Sequence, residues 1–523
     1  MAWQDIVVSS KILGHISAGV YRSAGGALKE LVSNAFDANA TRVVITTNAP
    51  SFDVVTCFDN GTGMKLEDFE WIMQEGIGES SKRIDKNIDP TFNRPVIGRL
   101  GIGMLGIAQV CHSFKIVSHH RETKTAFQAT VRLVDFLRER IDAVDPTEED
   151  VEDLQVGQFQ AESIEYEPSQ AGTYIVAVDV RSAFIRKFRE NPGPRLPSKF
   201  SSFLDILHKE RSVKELGAYW QMVWELAYSC PISYIEEGPF LWNRIKAPKG
   251  FKEKLEKLKQ TLVDYNFEVV VDGLSLRKPH MFPYPTNRTS PEQGKPKPMT
   301  GQLFPIEENM EVYGKPLKLI GYIYMQDGQA VEPIGLRGLL IRIRNVAIGG
   351  YDPTFLDYPK IEGPRFNWIS SEIYVEEGLE QALNIDRDSF NELHSHFVKV
   401  QQVIHRLLDK VFSEASKGVT RRSQAKKENE RSRKWEALEQ LISEELSGNY
   451  RLVETEGNHL PLVIDTKSKR ILINTESSLW PRSKSKRDLA QYVAVAFEIS
   501  MLNPKLDGQR ERFYKVLSRI LNL

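Results

Sequence analysis

A helix that is apolar along one side and carries a spaced carboxylate and carboxamide along another constrains this chain most. Ala27 to Asn39 follows the turn residues Gly25-Gly26 and puts Leu28, Leu31, Val32 and Ala35 at helical spacing for a core. Glu30, Asn34 and Asp37 fall at i, i+4 and i+7 and line up along another face. Two such groups one turn apart can point into one small volume. An Asn oxygen suits a hard cation such as Mg2+ without adding charge. A Glu beside a water can orient or deprotonate it for attack on a phosphoryl group. An amphipathic surface helix with ordinary polar residues fits the same letters.

Later segments narrow the choice. Phe52 to Phe58 is a short β-rich run, followed at once by Asp59-Asn60-Gly61-Thr62-Gly63-Met64. An Asp at a strand end can accept from an exocyclic amine such as adenine N6. Gly61 and Gly63 leave room for a flat base, and Met64 offers it a soft apolar surface. A plain Asp-Asn-Gly turn is the competing reading. Gly98, Gly101, Gly103 and Gly106, with Ile102 and Met104 among them, then precede an apolar helical stretch, Ile107 to Val110. Such a loop presents backbone N–H groups to phosphate, or serves only close packing. It lacks the Lys-Ser/Thr ending of a P-loop and the acidic residue of a dinucleotide fingerprint. Between these segments, Lys65 to Val96 has the composition of a lid. Lys82 or Arg83 would meet phosphate oxygens on closure, a solvated basic loop being the alternative. Gly172-Thr173 completes the set.

Together these segments resemble the GHKL superfamily of ATPases, which includes gyrase, heat-shock-90 chaperones, histidine kinases, MutL mismatch-repair proteins and MORC proteins. The resemblance implies a Bergerat α/β sandwich, with the nucleotide between an antiparallel-rich sheet and its helices. It implies ATP and Mg2+ as cofactors and hydrolysis of ATP to ADP and phosphate. By the same resemblance Glu30 positions the attacking water, Asn34 holds Mg2+ with Asp37 nearby, and Asp59 reads adenine beside Gly61, Gly63 and Met64. Gly98, Gly101, Ile102, Gly103 and Met104 grip the phosphates with Lys82, and Thr173 belongs to the late Gly-Thr pair. A histidine kinase is disfavoured, since the chain shows neither a receiver nor a membrane segment.

The likeness continues downstream. Gly338 to Ile348 reads as one strong strand, and Leu383-Asn384-Ile385-Asp386-Arg387-Asp388 precedes a helix expected from about Ser389 to Val411. This resembles the middle domain of heat-shock-90 chaperones and implies that Arg387 reaches the γ-phosphate from a second domain, with Asp388 where the family has Glu. A salt bridge from Arg387 to Asp386 or Asp388 is the alternative. The expected fold class is multi-domain α/β. An ATPase domain spans 1–240, and a middle βαβ domain spans 241–415, opening with the strand Phe267 to Val271. A charged linker over 416–434 and a small α+β C-terminal module over 435–523 follow, the latter with a hairpin across Leu460 to Ile473.

Composition bounds the partners. Lys and Arg total 69 against 70 Asp and Glu, which argues against wholesale nucleic-acid coating. The basic stretch 417–434 keeps a local nucleic-acid contact open beside a solvated linker. Cys57, Cys111 and Cys230 have no ligand spacing, which points to a reducing compartment without a zinc site. No window of roughly 18 apolar residues and no signal pattern is evident, so the expected location is cytoplasmic, without a membrane partner. The resemblance implies a homodimer closing through the ATPase domain, with Ile6 to Val8 as the exchanged strand. Three roles follow: a chaperone-like remodeller of a protein client, an ATP-gated DNA-associated clamp of the MORC or MutL kind, or a regulatory or defence switch.

Overall fold

A computed structural model describes residues 3–8, 23–76, 88–89, 94–95, 106–107, 109–133, 154–210, 212–235, 253, 257, 260, 266–279, 301–360, 362–384, 388–414, 451–455, 462–465 and 467–474. The chain divides into two compact units, Met1–Val411 and Phe412–Leu523. It is a mixed α/β protein with large sheets, as the sequence led us to expect.

The larger sheet of the first unit has nine strands: β1 Gln4–Val8, β2 Arg42–Thr46, β3 Val55–Asp59, β6 Cys111–His120, β7 Thr125–Leu133, β8 Leu154–Ile164, β9 Gly172–Val180, β10 Glu268–Val271 and β11 Leu274–Ser275. A separate pair, β4 Ile88–Asp89 and β5 Arg94–Pro95, lies between them in sequence. The order is β1-β8-β7-β6-β9-β3-β2-β10-β11, antiparallel throughout except where β10 runs parallel to β2. That parallel pairing, Glu268 on Arg42 to Val271 on Ile45, puts the strand expected to open the second domain into the first sheet instead. The first sheet therefore reaches past residue 240. β1 pairs with β8 of its own chain at the sheet edge, so Ile6 to Val8 are held in cis here.

Helices α1 Ala24–Asp37, α2 Leu66–Trp71, α3 Ser182–Glu190, α4 Phe200–Glu210 and α5 Ala218–Ser229 accompany this sheet. Helix α1 starts three residues before the expected Ala27, because Ser23 caps it: its Oγ accepts the Gly26 N–H at 2.9 Å. Leu28, Leu31, Val32 and Ala35 are all buried, each large side chain contributing about 1.5–3 kcal/mol. Phe36 meets Phe267 edge-on at 5.2 Å, which ties α1 to the β10 extension.

Two expectations near the site need correction. The start of the supposed lid, Lys65 to Gly76, is a packed element: α2 runs into a π-helical turn, Ile72–Gly76, with Phe69 and Met73 fully buried. Phe69 meets Phe127 at a tilt and Phe159 edge-on, with ring centroids 5.0 and 5.5 Å apart, so the element's apolar side chains outweigh the polar composition around them. At the end of the glycine-rich segment, residues 106, 107 and 109 take 3-10 rather than α-helical geometry and residue 110 is a turn, since β6 begins already at Cys111.

The second sheet comprises β12 Gly301–Val312, β13 Lys315–Gln326, β14 Gly338–Ile343, β15 Val346–Asp352 and β16 Ile369–Glu377, in the order β12-β13-β16-β14-β15. The single strand expected over Gly338 to Ile348 is a hairpin. Arg344 and Asn345 both take left-handed backbone angles, φ 51° and 68°, and turn β14 into β15. Strands β14 and β16 run parallel. A helix over 395–414 follows, later than the expected Ser389.

In the second unit β17 Arg451–Thr455, β18 Leu462–Asp465 and β19 Arg470–Asn474 form a three-stranded sheet. Strands β18 and β19 make the expected hairpin, its turn held by Asp465, which accepts the Lys467 and Ser468 N–H groups. The charged linker expected over 416–434, with its basic stretch, and most of the module expected over 435–523 lie outside the described residues.

Candidate nucleotide site

Asp59 ends β3 in the middle of the nine-stranded sheet, opposite Val43 of β2 and Thr173 of β9. Its side chain is buried, and Oδ1 accepts the Gly61 N–H at 2.8 Å. Burial disfavours the carboxylate and the Gly61 and Thr173 N–H groups favour it; burial wins, and the pKa is pushed up to about 6. The result is a buried acid at a strand end whose charge is costly to hold.

The loop after Asp59 is wedged between two pieces of backbone. Thr62 N–H donates to Ala38 O at the end of α1, and Thr62 O accepts the Arg121 N–H beyond β6, both at 2.8 Å. A Cβ on Gly61 would stand 2.6 Å from Ala38 O, and one on Gly63, at φ +77°, 2.3 Å from His119 O. The chain's own packing therefore requires both glycines, whatever a bound base also needs. Through Ala38, this contact joins the Asp59 loop to the helix that carries Glu30, Asn34 and Asp37.

Ser118, which sequence reasoning missed, ties the loop to the Gly172-Thr173 pair. It is fully buried on β6, opposite Thr173. Its Oγ accepts the Met64 N–H at 2.8 Å and lies 3.1 Å from Thr173 Oγ1 and 3.3 Å from Gly172 O. A serine on a strand carries no signal of this kind in sequence; only the register reveals it. His119 is buried beside it, and its Nδ1 accepts the Glu167 N–H at 3.0 Å, a structural role.

On α1, the spacing expected to align Glu30 and Asn34 gives them different surroundings. Glu30 is only 5% exposed, Asn34 is exposed and Asp37 is half-buried. Among the described residues no partner takes the Asn34 carboxamide. An open, neutral oxygen donor one turn from a buried carboxylate fits a hard cation shared with a phosphate ligand. Lys82, Gly98, Gly101, Ile102, Gly103, Met104 and Arg387 lie outside the described residues. The structure thus brings together Asp59, Gly61, Gly63, Met64 and Thr173 through Ser118, with α1 alongside. Cys57 on β3, Cys111 and Cys230 are buried free thiols. Burial pushes the Cys111 and Cys230 thiols up to about 12, which leaves them inert. Among the described residues no helix is long and apolar enough to cross a membrane.

Comparison with known proteins agrees with this arrangement. Residues 21–165 match the family model for histidine kinase-, DNA gyrase B- and HSP90-like ATPases. The segment is a GHKL-type ATPase domain, with α1, the Asp59 loop and Ser118 inside it. A protein of Herpetosiphon aurantiacus named for a type II restriction enzyme, HgiDII, is 32% identical over 114 residues, 22% of this chain and 18% of its own length. The DNA mismatch repair protein MutL of Ehrlichia chaffeensis is 32% identical over 123 residues, 23% of this chain and 17% of its own. The matches thus span less than a fifth of either relative. A solved N-terminal domain of a DNA repair protein aligns with 77% of this chain and 98% of its own, at 11% identity and a TM-score of 0.38.

Proposed function

We propose that this protein binds ATP with Mg2+ and hydrolyses it, and that the nucleotide state governs engagement of DNA. What carries the first part is the pair on α1: a buried Glu30 followed one turn later by an open Asn34, on a helix whose end grips the loop of the buried Asp59. Asp59 would accept from the adenine amine, and Glu30 would orient and deprotonate the attacking water. Asn34 would hold Mg2+, which neutralises phosphate charge when bound. Lys82 and the loop from Gly98 to Met104 would contact phosphates, and Arg387 would reach the terminal phosphate from the second sheet's side. Closure of a homodimer through β1 would require that strand to leave β8. Glu30→Ala tests the engine: ATP binding is retained and turnover lost, and full turnover in that variant rejects the assignment.

The DNA reading moves ahead of client remodelling because both relatives bear names of DNA-acting proteins. A surface feature favours it too. Arg181 stands at the N-cap of α3, and Arg186, Lys187, Arg189, Arg195 and Lys199 stand on α3 and the segment after it, against the single carboxylate Glu190. Arg186, Lys187, Arg189, Arg195 and Lys199 are exposed, and Arg186 and Arg189 line an open hollow of about 770 Å3. A duplex contacting such a stretch would bind with steep salt dependence, and Arg186→Glu with Arg195→Glu would flatten the slope. Salt-independent binding, or none with ATP present, would return the chaperone-like reading to first place. Suppression of a model client's aggregation would support that reading directly.

A further inference from the structure

Lys29, the residue before Glu30, has a buried side chain, 6% exposed, and forms an ion pair with Asp388. Asp388 belongs to the far end of the unit in sequence, after β16 and just before the helix over 395–414. Burial by itself would lower the ammonium's pKa, but Asp388, with Glu30 and Glu225 further off, raises it above the ordinary value. Lys29 is therefore a charged group held by its partners and not by water.

The surroundings fix Asp388 from several sides. Its carboxylate lies so near the first turn of α1 that a Cβ on Gly26 would be 3.7 Å from Oδ2. Its backbone oxygen would be 2.8 Å from a Cβ on Gly349 of β15. Ser23, the cap of α1, also donates to Glu225 of α5 at 2.7 Å. The start of α1 is thus bound to α5 by one contact and to the second-sheet region by another. A buried ion pair is weak support for stability, since an apolar pair of similar volume often does as well or better. What it supplies is a fixed register between two elements, and here one of them carries Glu30 in the next position.

We infer that Lys29 is a positioning residue for hydrolysis, its pair with Asp388 tying the second-sheet region to α1 and thereby holding Glu30 in its working place. This rests on the ATPase reading above. Lys29 touches no nucleotide in this assignment, so its loss acts on turnover and spares binding.

The test uses the full chain, with steady-state ATP turnover, affinity for a non-hydrolysable ATP analogue and thermal melting read together. Lys29→Met and Asp388→Asn are expected to lower kcat at least about tenfold while analogue affinity stays within about threefold. The double variant is expected to be no worse than the poorer single one, because the two act as one unit. Lys29→Arg is expected to keep most of the turnover and remains informative if the Met variant does not fold. Unchanged kcat in folded Lys29→Met, loss of turnover and affinity together, or additive loss in the double variant would overturn the inference. Those outcomes leave the ATPase reading intact as long as the wild type turns over and Glu30→Ala does not. A wild type without turnover would sink both.

Discussion

Arg342 and Glu372 form a fully buried, two-bonded ion pair, Nη2 to Oε1 at 2.9 Å and Nε to Oε2 at 3.2 Å. They stand on the parallel neighbours β14 and β16, and Tyr351 and Tyr374 add hydroxyl bonds to the same carboxylate at 2.7 and 2.9 Å. Tyr234 also reaches Glu372, and it is bridged to Lys278, just beyond β11. The extension of the first sheet therefore meets the second sheet at this carboxylate.

The first prediction concerns that meeting point. Removing one partner of a buried pair strands the other charge, so Arg342→Met or Glu372→Gln should each cost about 3–5 kcal/mol in urea unfolding. Lys278, buried beside them, is different. Burial first and Arg342 second push its pKa well below the ordinary value, more than Glu372 restores. Holding that ammonium contributes little, and Lys278→Met should cost far less than either. Equal losses at all three positions would mean that packing, not charge pairing, governs the cluster.

Asp59 gives a pH-dependent prediction. Its pKa rises from 3.8 to about 6 on folding, so between those values the native chain holds a proton that the unfolded chain has released. Native stability consequently falls as pH rises through that window, by up to about 3 kcal/mol, and is flat above it. Asp59→Asn removes the cost, so it should raise the melting temperature at pH 8 and change it little at pH 4. On the proposed assignment the same variant should abolish ATP affinity, because the Gly61 and Thr173 N–H groups would keep the Asn oxygen and leave its NH2, a donor, facing the adenine amine. A variant that binds ATP normally, or one less stable than the wild type at pH 8, would refute the assignment of this carboxylate.

Ser118 separates binding from turnover in another way. Ser118→Ala leaves the partly buried Met64 N–H without its acceptor and releases Thr173, at a cost of about 1–3 kcal/mol. Nucleotide affinity should fall, while kcat at saturating ATP stays near the wild-type value. Calorimetric titration with an ATP analogue and saturation kinetics together check this, and a fall in kcat at unchanged affinity would contradict it.

What the sequence made legible was local. The period of Leu28, Leu31, Val32 and Ala35 announces α1, and a β-rich run ending in Asp59 announces β3, because both signals lie within one element. Contacts distant in sequence were hidden. Nothing in residues 268–271 says that they pair parallel with β2, and nothing in Ser118 says that it faces Thr173. Gly338 to Ile348 hides its turn for a physical reason: β-rich apolar residues flank Arg344-Asn345 on both sides, and the turn uses that pair without a glycine. The lid reading weighed polar composition over Phe69 and Met73, whose helical spacing marks a packed face. The chaperone-like role rests on the downstream resemblance, whereas two relatives that match 22% and 23% of this chain bear the names of DNA-acting proteins.

Asn34 offers a prediction in which stability and function come apart. Its side chain is exposed and bonded to nothing among the described residues, so Asn34→Ala should change unfolding free energy by no more than about 0.5 kcal/mol. If its oxygen is a Mg2+ ligand, the same substitution should weaken Mg-ATP binding about tenfold or more, and excess Mg2+ should recover part of the loss. Affinity for ATP in the presence of a chelator should then differ little between variant and wild type, because the deleted group acts only through the cation. Titrations with and without Mg2+ on both proteins decide the matter. Equal affinities in both conditions would leave the open carboxamide as surface decoration on α1 and remove Mg2+ from this side of the site.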